Sequence, residues 1–148
     1  MEHTQPVIEI KLSTEEILEQ LFSTEKVTYT HKLFPKVVVT YESLSTKDQF
    51  TLDQFLQGLK GPQAPALRLY AVEVLSYTIK RYKDKVLSTQ KEAREVLSEL
   101  PVLVTDKMLK VYQEFDKKIR LALTPENVEK VFTPEVDSAL ASEPPQKG

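Results

Sequence analysis

The chain has 148 residues, 41% of them hydrophobic and 28% charged, which is typical of one folded domain and too apolar for a wholly disordered polymer. Its net charge is −2, from 20 Lys and Arg against 22 Asp and Glu, so the chain as a whole creates no field that would gather nucleic acid or anionic lipid. It contains no cysteine, which excludes disulfides, thiolate nucleophiles and Cys-ligated metal centres.

The first residues, MEHTQPVIEI, include no basic segment followed by a long apolar run, so they do not predict a signal peptide. All apolar stretches are much shorter than the ~20 residues that a membrane-spanning helix requires. The lack of cysteine also favours a reducing compartment. We therefore expect no membrane partner and a cytoplasmic location where the protein is made.

Short structural elements are predicted before residue 27. Residues 7–12 are β-branched and partly alternating, which favours a short strand. Ser13 and Glu16 follow with the spacing of a capping box, in which each residue bonds the backbone of the other. This pair predicts the start of a helix.

Residues 27–33 and 37–42 predict a β-hairpin. Both segments are rich in Val, Thr and Tyr and alternate with period 2, so that successive side chains face opposite sides of a sheet. Pro35 lies between them and belongs in the turn, because proline cannot donate to a strand ladder. The turn lacks an Asn-Gly pair, so the register stays open.

From Ser45 onward the chain is predicted to be helical. Ser45 caps a first helix whose apolar residues follow an i, i+3, i+4, i+7 spacing. Residues 58–65 contain two glycines and two prolines and predict a loop. Residues 66–82 are apolar around most of the helical circumference, which is typical of a central helix around which the others pack.

Three further helices are predicted after residue 88. Thr89 and Glu92 form a second capping box and begin a short helix. Pro101 ends that helix, because the residue before a proline avoids helical geometry, and it begins a longer one. Thr124 caps a last short helix that extends to residue 132.

These elements predict an α+β fold that is mostly helical. Short strands and a β-hairpin within residues 7–42 would precede a bundle of four to five helices within residues 46–132. Residues 1–132 are interpreted as a single domain. Residues 133–148 contain three prolines and few residues to bury, so they are predicted to be a disordered tail.

The helix that follows Pro101 carries an aromatic-rich stripe. Met108, Val111, Tyr112 and Phe115 share one of its faces. Such a stripe is usually part of a core, and the alternative is a face that binds a helix of another chain, for which methionine is well suited. Both interpretations stay open, and these four residues are the candidate partner-binding site.

No motif predicts catalysis, a metal or a cofactor. Neither His3 nor His31 has a second ligand at a metal-binding spacing, and three glycines are too few for a phosphate-binding loop. The carboxylates and serines that precede helices are explained by capping and by the helix dipole. A catalytic pair of carboxylates that are far apart in sequence and close together only in the folded chain stays an open alternative, since no sequence motif marks such a pair.

Residues 80–85, KRYKDK, form a short basic cluster with a tyrosine inside it. Interleaved basic and aromatic residues occur in nucleic-acid sites. Lys and Arg also complement the C-terminus of a helix, and the cluster includes an aspartate. We interpret it as the solvent-exposed end of the central helix and predict no nucleic-acid partner.

The order of these elements resembles the tail assembly chaperones and related small baseplate-hub proteins of long-tailed bacteriophages. The resemblance spans residues 27–119. It consists of a strand pair that leads into VVVTYESLSTKDQF, the core helix LYAVEVLSYTIKRY, and then VLSELPVLVTDKMLKVYQEFDKKI before a polar tail. The family's central helix often ends in an Asn-Gly turn, whereas this chain continues into KRYKDK.

The resemblance implies a non-enzymatic protein that binds apolar helical segments of the tape-measure protein until tail-tube subunits replace it. It implies other phage tail proteins as partners, among them the tape-measure protein and tail-tube or baseplate subunits, with a second copy of the chain as a further partner. The implied location is the host cytoplasm during assembly.

Three alternatives remain. The first is a permanent virion component of the baseplate, neck or tail, which would self-associate or dock through the edge of its sheet and be located in the virion. The second is an enzyme whose carboxylates converge only in the folded chain. The third is a nucleic-acid-binding or regulatory adaptor.

Overall fold

The computed structural model describes residues 8–60 and 63–129. Its helices and strands are, in chain order, α1 (Thr14–Thr24), β1 (Thr28–Phe34), β2 (Val37–Glu42), α2 (Thr46–Gly58), α3 (Gln63–Thr78), β3 (Ile79–Tyr82), β4 (Lys85–Val86), α4 (Gln90–Ser98) and α5 (Val102–Ala122). A short helical segment, residues 125–129, follows α5. The predicted α+β class with more helix than strand is confirmed.

The predicted hairpin is also confirmed, and its register is now fixed. β1 and β2 are antiparallel, with Thr28 opposite Glu42 and Phe34 opposite Val37, and the turn contains Pro35. Alternate side chains of both strands are buried or exposed, as period 2 predicts. One face of the sheet therefore packs on helices and the other faces solvent.

The strands form one antiparallel sheet in the order β1-β2-β3-β4. β2 is a central strand that pairs with β1 on one side and with β3 on the other. α5 packs against β1, α1 and α3, while α3 also contacts α2 and α4. The prediction of a central helix near residues 66–82 is thus confirmed in position, since α3 has three helical neighbours.

The central helix is shorter at its C-terminal end than predicted. α3 ends at Thr78, and the chain then forms a second hairpin, β3–β4, whose first strand pairs with β2. The interpretation of residues 80–85 as a helix end was therefore wrong, as was the prediction that every element after residue 45 is a helix. The physical reason is that β2 has a second edge of unpaired backbone groups, and pairing with residues 79–82 satisfies them. At its other end α3 begins at Gln63, within the predicted loop.

The predicted strand at residues 7–12 is not present in residues 8–12, the part that the structure describes. Ile10 and Leu12 are buried there, but their backbone groups bond locally and to a side chain. The Leu12 N–H donates to the Ile10 carbonyl at 2.9 Å, and Lys118 Nζ donates to the same carbonyl at 2.8 Å. These hydrogen bonds satisfy backbone groups of the segment without a strand partner. The segment therefore buries its apolar side chains without joining the sheet.

The helix starts predicted from capping residues and from Pro101 are confirmed. Ser13 with Glu16 and Thr89 with Glu92 form capping boxes, and the Ser45 hydroxyl accepts the Asp48 N–H. Pro101 is the N-cap residue of α5 and separates it from α4. The Thr124 hydroxyl accepts the N–H of Asn127 at 3.3 Å. The predicted part of this last helix beyond residue 129, His3 and the predicted tail at residues 133–148 lie outside the described residues.

Candidate partner-binding surfaces

The predicted partner-binding stripe lies in the protein core. Met108, Val111 and Phe115 have no exposed surface, and Tyr112 is 7% exposed. A partner cannot contact these side chains while the fold stays closed, so the assignment of a partner-binding face to them is corrected. The stripe matches the other interpretation, an ordinary core face of α5.

The aromatic rings show why this face is internal. The Phe115 ring lies 5.7 Å from that of Tyr29 on β1 and 6.3 Å from that of Tyr41 on β2, measured between centroids. The Tyr41 hydroxyl donates to the Met108 carbonyl at 2.9 Å. Burial is the main reason that the pKa of Tyr41 and that of Tyr112 are raised well above the ordinary range of a phenol. These contacts fasten α5 to the inner face of the sheet.

Within the described helices, the most exposed aromatic side chain lies on α2. Phe50 is 65% exposed and Leu56 is 40% exposed, while Leu52 is the one residue of this helix that is fully buried. At 100° per residue, Phe50 lies almost opposite Leu52, which directs it into solvent. Leu56 lies six residues after Phe50 and about 120° from it around the helix. We call these two exposed side chains together the α2 apolar surface.

The i, i+3, i+4, i+7 spacing of this helix belongs to Leu52, Phe55, Leu56 and Leu59 and predicts that they share one apolar face. Leu52 is buried, Phe55 and Leu59 are half-buried, and Leu56 is exposed. Phe50 was not singled out. The signal that identifies it is an aromatic residue on the polar side of a helix, where burial cannot explain it.

β1 forms the outer edge of the sheet. The Ser43 N–H donates to the Val27 carbonyl, so Val27 and Ser43 are a hydrogen-bonded pair. Because hydrogen-bonded and non-hydrogen-bonded pairs alternate, the backbone groups of Thr28, Thr30 and Lys32 point away from β2. The Thr28 N–H indeed bonds outward, to Gln20 Oε1 at 2.9 Å.

A groove of about 600 Å³ runs along this edge. It lies between β1 and the segment that leads into α1, and Lys11, Glu16, Gln20, Thr30 and Lys32 are among its lining residues. The charged side chains that line the groove are both acidic and basic. The outward backbone groups of Thr30 and Lys32 face this groove, so an extended chain could pair with them.

His31 lies in the same groove and is half-buried. Burial, followed by the charges of Lys107 and Lys11, lowers the pKa of its imidazole. The Tyr29 hydroxyl lies 2.7 Å from His31 Nδ1, which fits a neutral ring that accepts a hydrogen bond from the phenol. This geometry gives His31 a structural role beside Tyr29.

A bidentate ion pair joins α4 to α3. Arg94 donates two hydrogen bonds to the Glu73 carboxylate, of 2.8 and 3.2 Å. Within residues 8–60 and 63–129, no group of three or more His, Asp or Glu side chains is arranged to hold a metal ion. In the same residues, no helix has the length and apolar character needed to cross a bilayer.

Comparisons of the chain with protein-family models, with curated protein sequences and with solved structures found no match. The resemblance to phage tail assembly proteins therefore stays a prediction.

Proposed function

We propose that this protein is a non-enzymatic assembly factor of the tail assembly chaperone type. It binds helical segments of the tape-measure protein during morphogenesis of a long-tailed bacteriophage. The observation that carries the proposal is the α2 apolar surface, where Phe50 and Leu56 are exposed on a helix with one fully buried residue. The type of assembly factor named in this proposal is taken from the sequence resemblance over residues 27–119.

The packing of α2 supports a binding role. A helix of 13 residues is marginal in water, and most of its stability in a folded protein comes from packing of its apolar face. α2 has one fully buried side chain, so a partner that covers Phe50, and that reaches Leu56 about 120° away around the helix, adds apolar contacts that the free protein lacks. A small contact of this kind is also displaceable, as replacement by tail-tube subunits requires.

The test is co-purification of the full chain with the tape-measure protein encoded in the same genome. Phe50→Ala combined with Leu56→Ala is expected to reduce co-purification at least about tenfold, because two apolar anchors of an interface are lost. The matched control is Val102→Ala with Leu103→Ala, which removes two exposed apolar side chains at the start of α5. This control is expected to bind normally.

Far-ultraviolet circular dichroism of both double variants should be native, because all four side chains are exposed in part or almost fully. No co-purification of the wild type contradicts the proposed function. An equal loss of co-purification in both double variants contradicts the assignment of the α2 apolar surface as the binding site.

A second candidate is the permanent virion component, and the edge of β1 favours it. Thr30 and Lys32 direct backbone groups that have no partner among the described residues into an open groove, as in proteins that accept an added strand from a partner. Mass spectrometry of purified virions separates the two candidates. A structural component occurs there in defined copy number, whereas an assembly chaperone is missing.

Thr30→Pro tests docking at this edge. The Thr30 N–H points away from β2, so proline removes a group that a docked strand needs and leaves the β1–β2 ladder intact. Incorporation into virions should be lost for Thr30→Pro and retained for Thr30→Ala, which keeps the N–H. Normal incorporation of the proline variant excludes docking through β1.

A further inference from the structure

We propose that one end of the sheet is a docking site for a short acidic segment of a partner protein. Two neighbouring hairpins bring five cationic side chains to this end, which we call the basic hairpin end: Lys32, Lys36, Arg81, Lys83 and Lys85. Asp84 is the one acidic residue of residues 32–38 and 81–86.

The register of the sheet places the two hairpin turns side by side. Val39 of β2 lies opposite Tyr82 of β3, and the Lys83 N–H donates to the Val38 carbonyl at 2.8 Å. The turn at residues 83–84 is therefore next to the beginning of β2, and the turn at residues 35–36 immediately precedes β2. Cations that are separated by about 50 positions in sequence thus share one end of the sheet.

These cations are available to a ligand. All five residues are exposed, and within the described part of the chain none of them forms an ion pair. The opposite end of the sheet differs, because Glu42 there lies 3.5 Å from Lys26 and 3.8 Å from Lys80. The basic hairpin end therefore carries positive charge that the fold does not neutralise by pairing.

The charge of the whole chain is divided unevenly. The two hairpins with Lys26, residues 26–42 and 79–86, contain seven cationic and two anionic side chains, a net charge of +5. The whole chain carries −2, so all other residues together carry −7. A positive surface on an otherwise acidic protein binds through local contacts, since charges beyond a Debye length of about 8 Å are screened at physiological salt.

This arrangement favours an acidic polypeptide over a nucleic acid. A lysine ammonium lies over one face of each aromatic ring at this end, Lys107 Nζ 4.4 Å from the Phe34 centroid and Lys83 Nζ 5.7 Å from the Tyr82 centroid, which reduces the ring surface open to base stacking. A long polyanion would also meet the acidic remainder of the protein. Val38, which is 37% exposed, adds apolar contact of the kind that a polypeptide side chain fills.

The test uses the full chain and a fluorescein-labelled amphipathic peptide of about 20 residues, rich in Glu with Ala and Leu, long enough to form a helix. Binding is measured by fluorescence anisotropy. Single-stranded and duplex DNA of equal charge are the competing probes. The peptide is expected to bind, and to bind more weakly as NaCl is raised from about 50 to 200 mM.

Lys32→Glu combined with Arg81→Glu should weaken peptide binding at least about tenfold, because two attractions become repulsions. The matched control, Lys91→Glu with Lys110→Glu, makes the same change of net charge on the exposed faces of α4 and α5 and should bind within about twofold of wild type. Lys32→Gln with Arg81→Gln should give an intermediate loss. Circular dichroism and thermal unfolding of all variants should match wild type.

Equal weakening in the control variant, or no weakening in the charge-reversed variant, overturns the proposal. Tighter binding of either DNA than of the peptide overturns it in favour of a nucleic-acid ligand. Oligomerisation at low salt that the charge-reversed variant abolishes overturns it in favour of a second copy. The Phe50→Ala and Leu56→Ala double variant should bind the acidic peptide normally, so failure here is distinguishable from failure of the proposed function.

Discussion

The helices α5 and α2 are both capped or started by sequence signals and both have apolar residues at helical spacing, yet they are held very differently. α5 buries six residues, and its Phe115 ring contacts aromatic rings on β1 and β2. α2 buries Leu52 alone and exposes Phe50. The first helix forms the core of the protein, and the second lies at its margin.

The contrast between the two helices indicates where a partner-binding surface should be sought. The stripe on α5 is apolar because the sheet and α3 cover it, so its composition records packing within the chain. Phe50 on α2 has no such explanation from burial. Exposed aromatic residues on a weakly packed helix are therefore a better indication of a contact surface here than the most apolar stripe in the sequence.

The largest expected effect is that of Phe115→Ala. This change removes a fully buried ring that contacts two strands, and we expect it to lower the free energy of unfolding by about 3–5 kcal/mol. Urea denaturation followed by circular dichroism measures it. A loss below about 1 kcal/mol would mean that the stripe on α5 is not core, and would restore its interpretation as a binding face.

Leu52→Ala should have the next largest effect and lower the free energy of unfolding by about 2–3 kcal/mol, because it removes the one fully buried side chain of α2. Native-state hydrogen exchange should show that the amides of α2 open more readily than those of α5 in the wild type, and that the variant widens this difference. Equal opening free energies for the two helices would refute the contrast drawn between them.

Tyr41→Phe should lower the free energy of unfolding by about 1 kcal/mol, because it keeps the ring and removes the hydroxyl that donates to the Met108 carbonyl. Thermal unfolding measures the loss. Tyr77→Phe is a control, because Tyr77 on α3 is half-buried. An equal loss of stability in both variants would show that the hydrogen bond between Tyr41 on β2 and Met108 on α5 makes no specific contribution to stability.

The smallest effect is expected for Phe50→Ala, whose free energy of unfolding should stay within about 0.5 kcal/mol of wild type, because the ring is mostly exposed. Chemical denaturation provides the measurement. A loss above about 1.5 kcal/mol would show that Phe50 packs within the chain, and the α2 apolar surface would then lose its basis.

Much of the fold was accessible from local patterns. The capping boxes at Ser13 and Thr89 and the break at Pro101 were predicted correctly because each acts within a few residues through backbone hydrogen bonds. The alternation around Pro35 gave the hairpin for the same reason. The core character of Met108 and Phe115 stayed open, because a helical stripe does not reveal what covers it.

The elements that failed depend on distant partners. Residues 8–12 have strand-like composition, but Lys118 bonds the Ile10 carbonyl and the segment stays outside the sheet. Residues 79–82 continue a helical pattern, yet they form β3 because β2 offers unpaired backbone groups. The basic hairpin end was likewise hidden, since residues near 32 and near 83 meet only through β2.

Local sequence signals were sufficient for the mixed class, the capped helix starts and the first hairpin, because capping, proline geometry and side-chain periodicity act over a few residues. Local signals were not sufficient to predict which apolar stripe forms the core, where α3 begins and ends, or which cations share a surface. Those outcomes depend on burial and strand pairing between residues far apart in the chain, where the free energy gained by a partner exceeds local preference.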